Sequence, residues 1–213
     1  MEKINGVALF SGKDSLYSIY LVENDYGISI NYLITFITTL KIPSGHLENI
    51  NVLNKIAENM EKELFIVNLS NGIDELINLL KKLKVEVLVA GDVFVDEHIE
   101  WLESICKKAG INLIEPIFGK DSLIVLKEMI NVGFKTKIIC VNTDYLDENW
   151  LGFIISKENL NFFLNKIGKI DPLGENGEYH TLVIDCPLYK NPINIKSWKK
   201  IRSGKYSYIV CEI

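Results

Sequence analysis

Near-continuous apolar stretches alternate with runs whose apolar residues recur at helical spacing, and that alternation constrains the fold more than any other feature of the chain. The apolar run Val7–Phe10 is followed by Leu16, Ile19 and Tyr20; the β-branched and aromatic stretch from Ile28 to Thr39 by Leu47, Ile50, Leu53, Ile56, Ala57 and Met60. Leu64–Val67 is followed by Ile73, Leu76, Ile77, Leu80 and Leu83, and then by the apolar run Val85–Ala90. Strands that are apolar on both faces, separated by amphipathic helices, predict a parallel sheet covered on both sides. The chain is therefore expected to be α/β and Rossmann-like over its first part. The same rhythm continues through a helix from about Asp96, a short strand at Ile111–Ile114, a helix capped by Asp121 or Ser122, and a strand within Phe134–Val141.

Beyond that point the pattern changes. Ser156–Ile167 predicts a helix with Ser156 as its N-cap, a turn-rich stretch Asp171–Thr181 follows, and Thr181–Ile184 and Tyr206–Cys211 predict strands of a smaller α+β region. We place one domain at residues 1–140 and a smaller subdomain at 141–213.

In open parallel sheets ligands bind beyond the C-terminal ends of the strands. The residues that follow the first strand are Ser11-Gly12-Lys13-Asp14-Ser15. A helix opening there offers outward N–H groups and the positive end of its dipole, which suits an anion. Gly12 allows close backbone approach, Ser11 and Ser15 offer hydroxyl donors, and Lys13 adds a point charge. The pattern is not a Walker A loop, which needs G-x-x-x-x-G-K-[ST]. An ordinary strand–helix turn with a surface lysine is the plain alternative. Gly91-Asp92 follows the fourth strand at once, so topology brings it to the same edge as the first loop. His46 is expected near that edge too.

Composition narrows the partners. With 23 basic and 28 acidic side chains the net charge is −5, which disfavours a broad nucleic-acid surface while leaving a local basic patch open. Cys106, Cys140, Cys186 and Cys211 are widely spaced and form no zinc pattern with the three histidines. Cys106, Cys140 and Cys211 lie in or beside apolar runs and are expected to be core thiols, and a reducing, cytoplasmic setting is the expectation. No apolar run reaches transmembrane length, and Lys3 is followed by too short an apolar run for a signal peptide.

The second candidate constellation is Gly174-Glu175-Asn176-Gly177-Glu178-Tyr179-His180. Two glycines let such a loop adopt backbone geometry closed to other residues, and it can aim Glu175, Glu178 and His180 at one group. Carboxylates can hold ammonium, magnesium or an amine, and an imidazole can move a proton near neutral pH. A solvated acidic turn is the equally simple alternative.

Together the two motifs resemble the diphthine–ammonia ligase family of N-type ATP pyrophosphatases, whose first loop is usually S-G-G-K-D-S. The matching stretches are Leu9–Ser15, Val89–Asp92, Leu113–Phe118, Asp147–Gly152 and Gly174–Val183, which run nearly the full chain. The family's late motif reads G-E-G-G-E-[YF]-E-T; this chain has Asn176 at the third position and His180 at the seventh. It also has Glu97-His98-Ile99-Glu100-Trp101 where diphthamide-making members carry Tyr-Gln-x-x-Arg. These departures are similar to a branch of unsettled substrate.

That resemblance implies an adenine nucleotide alpha-hydrolase-like (HUP-type) fold and an amide-forming ligase, with residues 1–140 as the ATP-binding N-type pyrophosphatase domain and 141–213 as the substrate- and amine-binding subdomain. ATP and Mg²⁺ would be its cofactors, ammonium its amine donor, and diphthine on elongation factor 2 or another small carboxylate its acceptor. It implies nucleotide binding by Ser11, Gly12, Lys13, Asp14, Ser15, Gly91 and Asp92, with Asp14 as metal ligand. Lys13, Glu175, Glu178 and His180 would be catalytic, and the Gly174–Thr181 loop would reach the nucleotide cleft. Self-association stays open, and no membrane or nucleic-acid partner is expected. A non-catalytic ATP- or AMP-binding module would keep the first loop and have no use for the three late side chains. A sulfur-transferring tRNA enzyme would need a reactive cysteine pair and a basic face, neither of which the sequence offers.

Overall fold

The computed structural model describes residues 3–37, 45–91, 93 and 96–213. In chain order the first elements are β1 (Ile4–Leu9), α1 (Lys13–Asp25), β2 (Ile28–Ile37), a 3-10 turn at Leu47–Asn49, α2 (Ile50–Asn59) and β3 (Glu63–Asn68). Then come α3 (Asp74–Leu83), β4 (Val87–Val89), α4 (Asp96–Ala109), β5 (Asn112–Ile114), α5 (Ser122–Asn131) and β6 (Lys135–Asn142). A 3-10 turn at Glu148–Trp150 leads to β7 (Ile154–Ile155), α6 (Leu160–Ile167), β8 (Tyr179–Asp185), β9 (Ser197–Ser203) and β10 (Tyr206–Glu212).

The chain forms two compact units, residues 1–41 with 61–119 and residues 42–60 with 120–213. In the first, five strands pair in the order β3-β2-β1-β4-β5, and every pairing is parallel. All five strands therefore end at one edge. The order reverses direction between β1 and β4, which is the switch point where a crevice opens in such sheets. Val7, Ile34 and Leu88 of the strands pack with Leu76 and Leu80 of α3 and Leu102 and Ile105 of α4 in one buried cluster. Leu16, Ile19 and Val22 of α1 are wholly buried as well. The predicted parallel α/β arrangement is what the chain adopts.

The second unit is built on an antiparallel sheet in the order β7-β6-β10-β9, with β8 also paired to β6. Thr136 to Asn142 are all buried, although only Ile138–Val141 within them reads as an unbroken apolar run.

Several expectations shift. The 140/141 boundary would cut through β6, whose partners β7, β8 and β10 all lie downstream; the compact units instead divide at 119/120, and 42–60 groups with the second. The helix expected from Ser156 starts at Leu160 with Asn159 at its N-cap, because Ser156–Asn159 closes a turn: Asn159 N–H donates to the Ser156 carbonyl and Ser156 N–H to Asn159 Oδ1. Strand β9 was not expected, since its residues Ser197-Trp198-Lys199-Lys200-Ile201-Arg202-Ser203 are exposed or half-buried and show no apolar alternation.

Candidate active site

The C-terminal end of β1 continues into a loop that its own hydrogen bonds shape. Phe10 N–H donates to the Ile34 carbonyl (2.8 Å), extending the ladder one residue past the strand. The Ser15 hydroxyl accepts from Ser11 N–H (3.0 Å) and donates to the Gly12 carbonyl (3.0 Å). Ser15 therefore closes the loop on itself rather than holding its proton out for a ligand. Gly12 is the N-cap of α1 with φ −113°, a conformation open to any residue.

Lys13 begins the helix and is only 2% exposed. Its ammonium lies 2.9 Å from Asp14 Oδ2. A buried ammonium is costly unless paired, and Asp14 supplies part of the compensation. Gly91, directly after β4, passes against the same turn: a Cβ there would stand 2.8 Å from the Asp14 carbonyl group and the Ser15 nitrogen. The absent side chain is what lets the end of β4 approach the start of α1. Thus Ser11, Gly12, Lys13, Asp14, Ser15 and Gly91 converge at the switch point, while Asp92 lies outside the described residues. An outward helix end, an ammonium and a side-chain-free approach fit a polyphosphate. One carboxylate at this turn fits a magnesium ion that arrives with phosphates and keeps its waters. Among the described residues no three His, Cys, Asp or Glu side chains gather to hold a resident metal.

In the second unit the Gly174–His180 loop is also held from within. Asp171 Oδ1 accepts from the backbone N–H of Leu173 (2.9 Å) and Glu175 (3.3 Å). Gly174 adopts φ +74°, and a Cβ there would sit 2.9 Å from the Tyr179 ring. Glu178 is 4% exposed. Its two oxygens accept from the Asn176 backbone N–H (2.9 Å) and the Asn176 side-chain amide (3.1 Å). The asparagine that replaces the family's glycine thus supplies a donor that glycine lacks. Glu175 and His180 are half-buried.

His46 belongs to this unit, and sequence reasoning did not bring it to His180. Its Nε2 donates to the Thr181 carbonyl (2.9 Å), and its ring centroid lies 5.5 Å from that of His180 at 63°. Since a carbonyl only accepts, Nε2 carries the proton. The signal that could have found the pair is small: Gly45, whose Cβ would stand 2.9 Å from Cys140 Cβ, lets the backbone before His46 press onto β6 opposite His180. His98 in α4 stacks on Trp101 (5.5 Å), which meets Phe36 edge-on, so that segment serves packing in the first unit. All four cysteines are free thiols and buried.

The family model of the diphthamide synthase N-terminal domain matches residues 4–113, and that of the diphthamide synthase C-terminal domain matches residues 121–212. The chain belongs to the diphthamide synthase family. Among relatives in that family, the diphthine–ammonia ligase of Schizosaccharomyces pombe is 28% identical over 144 residues, covering 64% of this chain and 24% of its own length. Those of Mus musculus and Homo sapiens are each 31% identical over 126 residues, covering 58% of this chain and 47% of theirs. The alignments thus take in from about a quarter to about half of the length of these relatives. A U34-tRNA thiolase from Methanococcus maripaludis aligns over 62% of this chain and 59% of its own at 20% identity with a TM-score of 0.40, a likeness too low to assign anything to a diphthamide synthase family member.

Proposed function

We propose that the chain is an ATP-dependent ligase that activates a carboxylate by adenylation and converts it to an amide with ammonia. The observation that carries this reading is the buried Lys13 ammonium at the start of α1, set at the sheet's switch point in a chain matched by both diphthamide synthase domains. The chemistry follows from leaving groups. Hydroxide leaves a carboxylate poorly, so a carboxylate oxygen attacks the α-phosphorus of ATP and pyrophosphate departs. The ammonia nitrogen then attacks the acyl carbon, AMP departs with the carbon–oxygen electron pair, and the nitrogen gives up a proton.

In this reading Lys13 and the first-turn N–H groups of α1 stabilise negative charge on the departing pyrophosphate. Asp14 holds Mg²⁺, directly or through water; that ion would neutralise phosphate charge. Gly91, with no side chain, lets the end of β4 lie against the phosphate loop. Glu175 attracts ammonium, and neutral His180 accepts the proton released as the nucleophile forms. Glu178, with both oxygens bonded to Asn176, positions the loop that carries them. The acceptor is a carboxylate, with diphthine on elongation factor 2 as the named candidate; His180, where diphthamide-making relatives carry glutamate, favours keeping free small carboxylic acids beside it.

The test is product analysis with purified protein, ATP, ammonium and a panel of acceptors that includes diphthine-bearing elongation factor 2. AMP and pyrophosphate should form only with the right acceptor, and Lys13→Ala should slow their release by roughly 10²-fold or more. ADP and orthophosphate as products would defeat the reading. Nucleotide binding with no turnover on any acceptor would favour a binding module instead.

A further inference from the structure

The outer strand of the second sheet has a composition unlike the rest of the chain. No acidic residue occurs between Asp185 and Glu212, whereas Lys190, Lys196, Lys199, Lys200, Arg202 and Lys205 all fall there, in a chain of net charge −5. Lys199, Lys200 and Arg202 lie on β9, Lys196 just before it and Lys205 in the turn after it. Two carboxylates answer them: Glu148 takes Lys200 (2.8 Å) and Arg202 (3.5 Å), and Asp144 takes Lys205 (3.9 Å). Lys196 and Lys199 are exposed and pair with no carboxylate among the described residues.

The sheet order leaves β9 paired with β10 alone among the described residues, so one row of its backbone N–H and C=O groups faces outward. Trp198 sits in the same strand. Its ring is held by the Lys137 ammonium, 4.4 Å from the ring centroid, and by Gly152, where a Cβ would stand 3.1 Å from Trp198 Cζ2. The residue is nevertheless 48% exposed. Alternation along the strand puts Trp198, Lys200 and Arg202 on one face and Lys199 on the other. Lysines on an open edge keep neutral strands away. The same charges admit an acidic strand, and a fixed, half-open indole gives it an apolar anchor.

We infer that β9 is a docking edge for an acidic, extended segment of another protein. The segment adds as a further strand, its carboxylates meeting Lys196, Lys199 and the Lys200–Arg202 face and an apolar residue covering Trp198. A second copy of the chain is disfavoured, because pairing two β9 strands brings the cations of one beside those of the other. A nucleic acid would meet the cations but leave the backbone row unused. The inference does not rest on the ligase reading.

The test is titration of the full chain with a capped peptide in which glutamate alternates with valine, long enough to span β9, followed by amide NMR and calorimetry. Shifts should concentrate at Ser197–Ser203 and the Trp198 indole, and binding should weaken as salt is raised. Lys199→Glu, at an exposed side chain outside the ion pairs above, should weaken binding by about tenfold or more. A fully N-methylated peptide keeps every charge and has no N–H to donate, so it should lose binding. No binding at about 1 mM peptide, or equal binding of the N-methylated peptide or of a lysine–valine peptide, would overturn the proposal. So would β9 shifts that grow with protein concentration alone, which assign the edge to a second copy, or tighter binding there of a single-stranded oligonucleotide. Should Lys199→Glu fail to fold, the three peptides compared on the wild type decide.

Discussion

At the scale of single residues, Asn49 shows how a polar side chain becomes part of a core. It is 1% exposed, and all of its side-chain bonds reach backbone: Nδ2 donates to the carbonyls of Gly45 (2.6 Å) and Ile209 (2.8 Å), and Oδ1 accepts from Cys211 N–H (2.7 Å). Alanine at this position strands two carbonyls and one N–H, each of which carries a desolvation cost when buried. Asn49→Ala should lower the unfolding free energy by about 2–4 kcal/mol, read from urea denaturation. Asn49→Asp should cost no less, because it sets an acceptor-only group against two carbonyl oxygens. A loss below about 1 kcal/mol for alanine would mean that water replaces the side chain at little cost. In the sequence Asn49 is one polar residue at the edge of a helical pattern, with nothing to mark it as the tie between the 45–59 segment and β10.

At the scale of elements, the 171–181 loop is a self-contained structure with two glycines of unequal weight. Gly174 and Gly177 both have positive φ, +74° and +77°. Only Gly174 is also crowded, with a Cβ position 2.9 Å from the buried Tyr179 ring, while nothing lies within 4 Å of the same position at Gly177. Gly177→Ala should therefore cost the backbone term alone, about 1–2 kcal/mol. Gly174→Ala adds displacement of an aromatic ring packed edge-on against Phe163 and should cost clearly more. Thermal melts rank the two, and near-UV circular dichroism reports whether Tyr179 moves; equal effects would show that the ring yields freely. The same loop shows why Glu178 could be singled out but not given its place. Its type and spacing mark it as a candidate, whereas its bonds to Asn176 depend on the loop's closed geometry.

Across the whole molecule the cysteines set a shared pH response. Burial is the main cause raising all four thiols, to about 11 for Cys106, Cys140 and Cys211 and about 12 for Cys186. In the unfolded chain they ionise near pH 8.5. The folded state thus holds more protons between those values, and stability falls as pH rises there. The thiol contribution should be fully present below about pH 8.5 and be lost progressively towards about pH 11–12. Urea midpoints at pH 7.5 and pH 10 should show a clear drop. The drop should be larger in the second unit, which contains three of the four thiols. Thiol labelling at pH 8 should follow unfolding instead of preceding it. A flat midpoint across this range, or rapid labelling of the native protein, would show the thiols to be accessible. Among the described residues no helix is long and apolar enough to cross a membrane.

The sequence by itself determined the parallel sheet, the turn after β1 and the loop at 174–180. Each depends on local information: apolar period chooses strand or helix, and a cluster of small and charged residues after a buried strand places a helix start. It also determined that Cys106, Cys140 and Cys211 would be core thiols, since each lies in or beside an apolar run, whereas the burial of Cys186 was not expected. Only the tertiary structure decided what non-local pairing controls. Strand β9 forms because β10 offers it an edge, although its own exposed residues carry no period. Residues 42–60 group with the second sheet because Asn49 and Asn59 bond to backbone more than a hundred residues away. His46 meets His180 through a turn laid across β6, and Gly91 meets Asp14 through the sheet's reversal between β1 and β4. Such contacts are made when distant segments close loops onto one another, and the residues adjoining them in the chain hold no record of the partner.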